Sequence, residues 1–170
     1  YYNYYDPNYK VSDRLNYAYD RNVYSVFAQL DHKFDDKHGV IIGARETWTG
    51  SSPDGTNYNE FTPQIQYSYK MTDDTSVYAS VGKSFTLPTL TDMYGKDAII
   101  KNTSIRPEIG KHYEMGLKHV SGDHSWKLAL FKSDVKDFVT NYEDTKTGES
   151  YAINEDTKNM GIELSSELVQ

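Results

Sequence analysis

The side chains best suited to metal binding are five histidines and two pairs of adjacent aspartates. No two histidines have the spacing of four residues that places two metal ligands on one face of a helix. His112 and His119 are seven residues apart, so they point to opposite sides of any strand that holds both. The aspartate pairs lack the ligand spacing of a calcium loop and are typical of turns, where Asp bonds its own backbone. The sequence therefore predicts no metal site. The residues concerned are His32, His38, His112, His119, His124, Asp35, Asp36, Asp73 and Asp74.

Five charged residues lie on the polar side of the alternating strand patterns described below, and they allow two interpretations. They could supply the acid and base of a hydrolase, or they could line the polar interior of a β-barrel. We favour the barrel interior, because Ser84, Ser104 and Ser133 lack the sequence context of a catalytic serine. We therefore predict no catalytic residue, no cofactor and no enzymatic activity. The charged residues are Glu114, Glu163, Glu167, Lys70 and Lys118.

The composition limits the class of protein. The chain has 170 residues, no Cys and a net charge of -7, which argues against a nucleic-acid partner, since such a partner selects a basic face. No apolar run approaches the roughly 20 residues that a membrane-spanning helix needs. Strands of a membrane barrel need only about 9 to 11 residues and alternate apolar with polar. Sixteen Tyr fit that class, because Tyr gathers where an apolar surface meets water.

Apolar residues recur with a period of two in seven segments, which is typical of strands with one apolar and one polar face. The clearest segment runs from Phe61 to Met71, where aromatic and aliphatic residues alternate with Thr, Gln, Ser and Lys. In another segment the phase changes near Lys132, which predicts a β-bulge there. The predicted strands cover roughly residues 21–34, 40–50, 61–71, 77–82, 112–118, 125–141 and 160–168.

The predicted connections alternate between short and long. Short turns at one end and long loops at the other are typical of transmembrane barrels, whose long loops lie outside the cell. The sequence therefore predicts an all-β, antiparallel, up-and-down transmembrane β-barrel. The short links are residues 35–39, 72–76 and 121–125, and the long ones are 51–59, 86–109 and 142–150.

A longer motif lies between Ser84 and Lys118. It begins Ser-Phe-Thr-Leu-Pro-Thr-Leu, continues through Asn-Thr-Ser-Ile-Arg-Pro-Glu from Asn102, and ends in Tyr-Glu-Met-Gly-Leu-Lys from Tyr113. In this order the three parts resemble the barrel domain of TonB-dependent outer-membrane receptors of the siderophore-receptor type.

The resemblance implies a barrel of roughly 22 strands around a plugged lumen, of which about seven are readable here. We therefore expect residues 1–170 to be a fragment of one receptor barrel domain, without its plug domain and final strands. It also implies uptake of an iron-siderophore or similar metal chelate across the outer membrane. The outer loops would capture the chelate, and the inner-membrane TonB system would act through the plug. The expected surroundings are outer-membrane lipid.

The resemblance also assigns residue roles. A structural role in joining two strands is expected for Phe85, Pro88, Leu90, Tyr94, Pro107 and Glu108. The loop aromatics are candidate ligand contacts, because flat rings pack well against aromatic chelates. These candidates are Tyr58, Tyr94, Tyr142 and Tyr151.

Two alternatives from other classes remain open. A small complete outer-membrane barrel would need an eighth strand, for which Val11, Leu15 and Tyr17 within residues 10–19 supply apolar positions. A soluble β-sandwich binding module would also suit the Tyr-rich loops and the acidic charge.

Overall fold

One antiparallel sheet dominates the structure, a computed structural model that describes residues 20–50, 56–94, 99–100, 102–146, 148 and 150–168. Seven long strands are joined by tight turns at one end and by longer connections at the other, with one short helix, α1, and one two-residue strand, β5, between β4 and β6. The elements are β1 (Asn22–Lys33), β2 (His38–Gly50), β3 (Asn59–Lys70), β4 (Thr75–Thr86), α1 (Leu90–Tyr94), β5 (Ile99–Ile100), β6 (Glu108–Ser121), β7 (His124–Glu143) and β8 (Ser150–Leu168).

The strand order confirms the predicted up-and-down topology. Each long strand pairs antiparallel with the next long strand along the chain, from β1 to β8. β5 adds a parallel edge to β8. β1 does not pair with β8 or β5, so the sheet is open, as expected for part of a larger barrel. The eighth strand considered for a small barrel falls in residues 10–19, outside the described residues.

One face of the sheet is a continuous apolar surface. Rows of paired residues cross it, for example Leu30, Ile42, Ile65, Val81 and Tyr113 on five successive long strands. These side chains are 42 to 57% exposed, although they are large and apolar. An apolar face of this extent needs a non-aqueous partner, and hydrocarbon lipid is such a partner.

Aromatic rings border this apolar face at both ends. Tyr24 and Trp48 stack at the long-loop end, with ring centroids 6.2 Å apart. His119 and Trp126 pack at the short-turn end, with centroids 5.6 Å apart. On β2, the ten steps from His38 to Trp48 correspond to about 33 Å along the strand. A tilt of about 40° reduces this to about 25 Å, the height of the lipid-facing band in membrane barrels.

The opposite face is polar and carries a charged network at mid-strand. Lys127 donates to Glu114 at 3.1 Å, and its ammonium lies 5.2 Å from the centre of the Tyr78 ring. The Tyr78 hydroxyl also donates to Glu114. This contact agrees with the lumen-wall interpretation of Glu114, and among the described residues no serine or histidine bonds to its carboxylate.

Two glycines on the polar face make room for aromatic rings. A Cβ atom on Gly116 would lie 2.6 Å from the Tyr78 ring, and one on Gly161 would lie 2.8 Å from the Phe131 ring. Each glycine is the directly paired neighbour of its aromatic residue. The rings therefore lie flat over the adjacent backbone, an arrangement that fixes the strand register.

The predicted bulge exists but lies further along β7 than expected. Pairing with β8 is regular from His124 through Val135, past Lys132, and the register shifts between Val135 and Phe138. Within the shift, Asp137 has a φ of 56°. The predicted position at Lys132 was wrong because it was inferred from a change in which alternate residues are apolar. That change is caused by Phe131, an apolar residue on the polar face whose ring lies over Gly161.

In the first short turn an aspartate bonds the turn backbone, as the sequence predicts, whereas in the second turn Asp73 accepts from the Lys70 ammonium at 2.8 Å. The Asp35 carboxylate accepts hydrogen bonds from the backbone N–H groups of Lys37 and His38, at 2.8 and 2.7 Å. The bond from Lys37 is the main reason that the pKa of Asp35 lies below its ordinary value. No helix in the described part of the chain is long and apolar enough to cross a membrane.

Candidate ligand-binding site

The connection between β4 and β6 forms a small core at the long-loop end of the sheet. Met93, Ile105 and Ala152 are at most 3% exposed, and the Pro88 side chain is fully buried. Such buried residues are few elsewhere in the described sheet, since both of its faces are open. The connection is therefore a packed structural unit.

Helix α1 begins with a reciprocal cap. The Asp92 carboxylate accepts from the Thr89 backbone N–H at 3.0 Å and from the Thr89 hydroxyl at 2.6 Å. The Asp92 backbone N–H donates to the Thr89 hydroxyl at 3.1 Å. This arrangement satisfies N–H groups that have no partner within a helix, in the manner of a capping box. It fixes the start of a helix too short to be stable alone.

This packed connection contacts residues on opposite sides of the sheet, next to β1 and within β8. The Arg21 guanidinium, just before β1, donates to the Pro88 carbonyl at 2.9 Å. At the other end, Asn102 donates through its backbone to the Met93 carbonyl at 3.0 Å and through its side chain to the Ala152 carbonyl of β8 at 2.9 Å. Six strand-to-strand steps of about 4.8 Å separate β1 from β8 along the sheet. The connection therefore spans the sheet from β1 to β8 at the long-loop end.

A second cluster surrounds the bulge in β7. Arg106 donates to the Asp137 carboxylate at 3.0 Å, and Asn154 donates to the Arg106 and Asp137 carbonyls at 2.9 and 2.7 Å. The Glu108 carboxylate accepts from the Val139 backbone N–H at 2.9 Å. The hydrogen bond to Asp137 raises the pKa of Arg106 above its ordinary value. These side chains supply hydrogen-bond partners where the bulge interrupts the ladder.

The four candidate tyrosines all lie at this end of the sheet. Tyr142 and Tyr151 are brought together: they are direct cross-strand partners on β7 and β8, with ring centroids 5.2 Å apart and planes at 46°. Tyr58 precedes β3 and is bound through its backbone to Thr49 of β2. Tyr94 is the last residue of α1. The Tyr142 and Tyr151 pair is thus an aromatic surface that ligands could approach from the loops.

The residues expected to be structural occupy the same connection. Phe85 is the second-last residue of β4 and pairs with Ile109 of β6, Pro88 is buried and bonded through its carbonyl to Arg21, and Leu90 starts α1. Pro107 precedes Glu108, whose carboxylate supports the bulge. These positions agree with a joining role, which stays a prediction.

Sequence reasoning missed several contacts because they join distant residues. Asn154 and Arg106 are 48 residues apart. His112 lies between Ser84 and Ser133, with ring nitrogens 2.7 and 2.9 Å from their hydroxyl oxygens. No described carboxylate bonds to this imidazole, so the group lacks the third member of a catalytic triad. The only sequence signal was strand phase, which places all three on the polar face.

No three His, Asp or Glu side chains among the described residues lie close enough together to hold a metal ion. This end of the sheet presents aromatic faces, hydroxyl groups and an exposed guanidinium. Such groups suit binding and release of a ligand.

Comparison with known families decides the class. A family model described as "TonB dependent receptor-like, beta-barrel" matches residues 1–168. The chain belongs to this family. The predicted resemblance and the predicted barrel fold are confirmed.

Relatives of this receptor chain are transporters and receptors. The vitamin B12 transporter BtuB of Photobacterium profundum is 32% identical over 88 residues, which cover 50% of this chain and 13% of that protein. The solved copper transporter OprC has a TM-score of 0.73 at 17% identity, and the match covers 88% of this chain and 26% of that one. The Serratia marcescens hemophore receptor HasR, solved with its hemophore HasA and heme, has a TM-score of 0.73 at 16% identity, with 87% and 32% covered. The structural likenesses show the fold, and the chain spans about a third or less of each relative.

Proposed function

We propose that residues 1–170 are part of the wall of one barrel domain in an outer-membrane receptor that imports a metal chelate, of the iron-siderophore type. The single observation that carries this proposal is the two-faced sheet. One face presents apolar rows bordered by aromatic rings, and the opposite, polar face presents Glu114, Lys127 and His112. A sheet of this kind separates lipid from a polar passage.

In this proposal the long-loop end faces the outside of the cell. The chelate is captured there by loop aromatics, for which Tyr142 and Tyr151 are the best-placed pair, with Tyr58 and Tyr94 as further contacts. Passage through the lumen then requires movement of a plug domain, driven by the TonB system of the inner membrane. The chain itself performs no covalent chemistry.

The joining residues have a separate role in this proposal. The β4–β6 connection holds the rims of β1 and β8 through Arg21 and Asn102. The connection thereby supports the neighbouring long loops on a rigid structure. A ligand site on a fixed base loses less entropy on binding than one on free loops.

Uptake by cells tests the proposal. The complete gene is deleted, and accumulation of labelled iron-siderophores, haem and vitamin B12 is measured with and without an intact TonB system. We expect the uptake of one chelate to be lost both in cells without this gene and in cells without TonB. Restoring the gene should restore that uptake in the first of these strains. Uptake of every chelate at the parental rate would contradict a transport role. Loss on gene deletion but not on TonB deletion would contradict the energy source.

Binding by variants tests the tyrosine pair. Replacing Tyr142 or Tyr151 with Ala in the complete receptor should weaken binding of the identified chelate about two- to tenfold, the usual value of an aromatic contact. Tyr113→Ala is the matched control, because this tyrosine lies in the lipid-facing rows. An effect of the control equal to that of the pair would exclude a specific ligand contact.

A further inference from the structure

The outward face carries a group of lysines at the long-loop end of the apolar rows on β6 to β8. We call it the lysine patch: Lys111, Lys132, Lys136 and Lys158, all exposed. The strand pairing places Lys111, Asp134 and Lys158 in one row, and Lys132 in the next row between Tyr113 and Met160. The patch therefore directly continues the lipid-facing surface.

The height of the patch follows from the apolar rows below it. On β6 the outward residues run from His119 through Leu117, Met115 and Tyr113 to Lys111. His119 and Trp126 mark the short-turn border, and Lys111 lies about 26 Å further along the strand, which the same tilt of about 40° reduces to about 20 Å of height. With the long loops outside, this level is the upper part of the apolar band of about 25 Å, from which a long lysine side chain reaches the headgroups of the outer leaflet.

The charge balance of the patch is positive. The described carboxylates on this face beside the lysines are Asp134, which forms an ion pair with Lys132 at 3.0 Å, and Asp156, which accepts from the Asp137 backbone N–H at 3.1 Å. Lys111, Lys136 and Lys158 form no ion pair with another described residue. The neighbouring Lys83 is paired with Glu60 and is not counted. Four lysines and two carboxylates thus leave an excess of two positive charges facing outward beside the apolar rows, in a chain whose net charge is -7.

We propose that the lysine patch binds the phosphate groups of a phosphorylated lipid of the outer leaflet, whose acyl chains lie against the apolar rows below. Lys111 and Lys158 are two strands apart, about 10 Å, and both have flexible side chains that can converge on phosphates between them. Ammonium groups bind phosphate as point charges. The apolar rows supply the second half of the recognition, which free phosphate cannot use.

The inference rests on the proposed membrane location and orientation but not on any transported ligand. Its test uses the complete detergent-solubilised protein and native mass spectrometry, with lipopolysaccharide as the probe. Dephosphorylated lipopolysaccharide and inorganic phosphate form the other two arms. Uptake is measured on the same variants, so failure of transport and failure of lipid binding are read separately.

The test variant is Lys111→Gln with Lys136→Gln and Lys158→Gln. Each lysine at an anionic membrane surface changes affinity about fivefold, so the triple variant should bind lipopolysaccharide roughly 100-fold more weakly. The matched control replaces Lys33, Lys37 and Lys118 with Gln at the short-turn end, and should bind within about twofold of the parent. Heat-dependent gel migration of both variants verifies that the barrel is folded.

Several results would overturn the proposal. These are equal losses in the two triple variants, unchanged binding by the test variant, and equal binding of dephosphorylated lipopolysaccharide. Capture of inorganic phosphate without the lipid would also refute it. Selective loss in the test variant, with salt-dependent binding by the parent, supports the patch as a lipid site.

Discussion

The assignment of lipid-facing and lumen-facing sides can be tested by placing one charge on each side at the same height. Met115 lies in the middle of the outward residues of β6, four residues from both His119 and Lys111, and is 56% exposed. Ser80 is on the polar face of β4, directly paired with Glu114. Replacing each with Arg adds the same side chain on opposite sides of the wall.

The expected difference is large. An Arg at the bilayer midplane of a barrel destabilises it by about 2 to 4 kcal/mol, which is roughly a 30- to 700-fold change in the folding equilibrium. Ser80→Arg should change stability by less than about 1 kcal/mol, because its guanidinium can approach the Glu114 carboxylate in a hydrated lumen.

The measurement is urea unfolding of the complete protein in phospholipid vesicles, followed by Trp fluorescence. Met115→Gln separates loss of the Met side chain from addition of charge. A larger penalty for Ser80→Arg than for Met115→Arg would show that the faces are reversed. Equal small effects would mean that neither face contacts hydrocarbon, and the membrane assignment would fail.

Three further outcomes follow from local contacts. Glu108→Ala should destabilise the protein by about 1 to 3 kcal/mol because the Val139 N–H at the bulge loses its acceptor, whereas Glu108→Gln keeps an acceptor oxygen and should cost less in the same unfolding assay. Gly116→Val should cost about 1 to 3 kcal/mol because its Cβ would meet the Tyr78 ring at 2.6 Å, and Tyr78→Ala in the same chain should recover part of that cost, as a double-mutant cycle would measure. The pKa of Asp35 is lowered in the folded state, so its contribution to stability is present above the ordinary value of 3.8 and is lost as pH falls through the folded pKa; acid unfolding of Asp35→Asn should lack that step, and an unchanged acid profile would refute the role of this turn.

The sequence was sufficient to predict the strands because one face of the sheet is apolar and the other is polar, so that apolar and polar residues alternate along each strand. Every predicted strand is present, and β6 differs mainly in length, since the predicted segment began at residue 112 whereas the strand begins at Glu108. β8 begins at Ser150, ten residues before the predicted start near Met160. Its first half lies above the apolar border and contacts the connection through Asn154. There the apolar and polar residues do not alternate, so the period of two on which the prediction relied is absent.

The candidate site was less predictable because its contacts depend on residues far apart in the chain. Tyr142 and Tyr151 were selected only as loop aromatics, and the β7–β8 register is what makes them partners. The position of the connection before α1 depends on a hydrogen bond from Arg21 to the Pro88 carbonyl, and Arg21 belongs to no recognisable sequence pattern. Local phase therefore identifies which residues share a face but gives no information on how the long connection folds.

The bulge in β7 gives a physical reason for the motif that carried the family resemblance. A non-glycine residue in the left-handed region, such as Asp137 at φ 56°, costs roughly 1 to 2 kcal/mol. Arg106, Asn154 and Glu108 supply hydrogen bonds to this residue and its neighbours, which the interrupted ladder no longer provides. We propose that the Asn-x-x-Ile-Arg-Pro-Glu segment acts as a strap that holds the upper part of β7 and β8 above the membrane. The motif would then be tied to the architecture of the wall, and ligand specificity would lie in the loops that the strap supports.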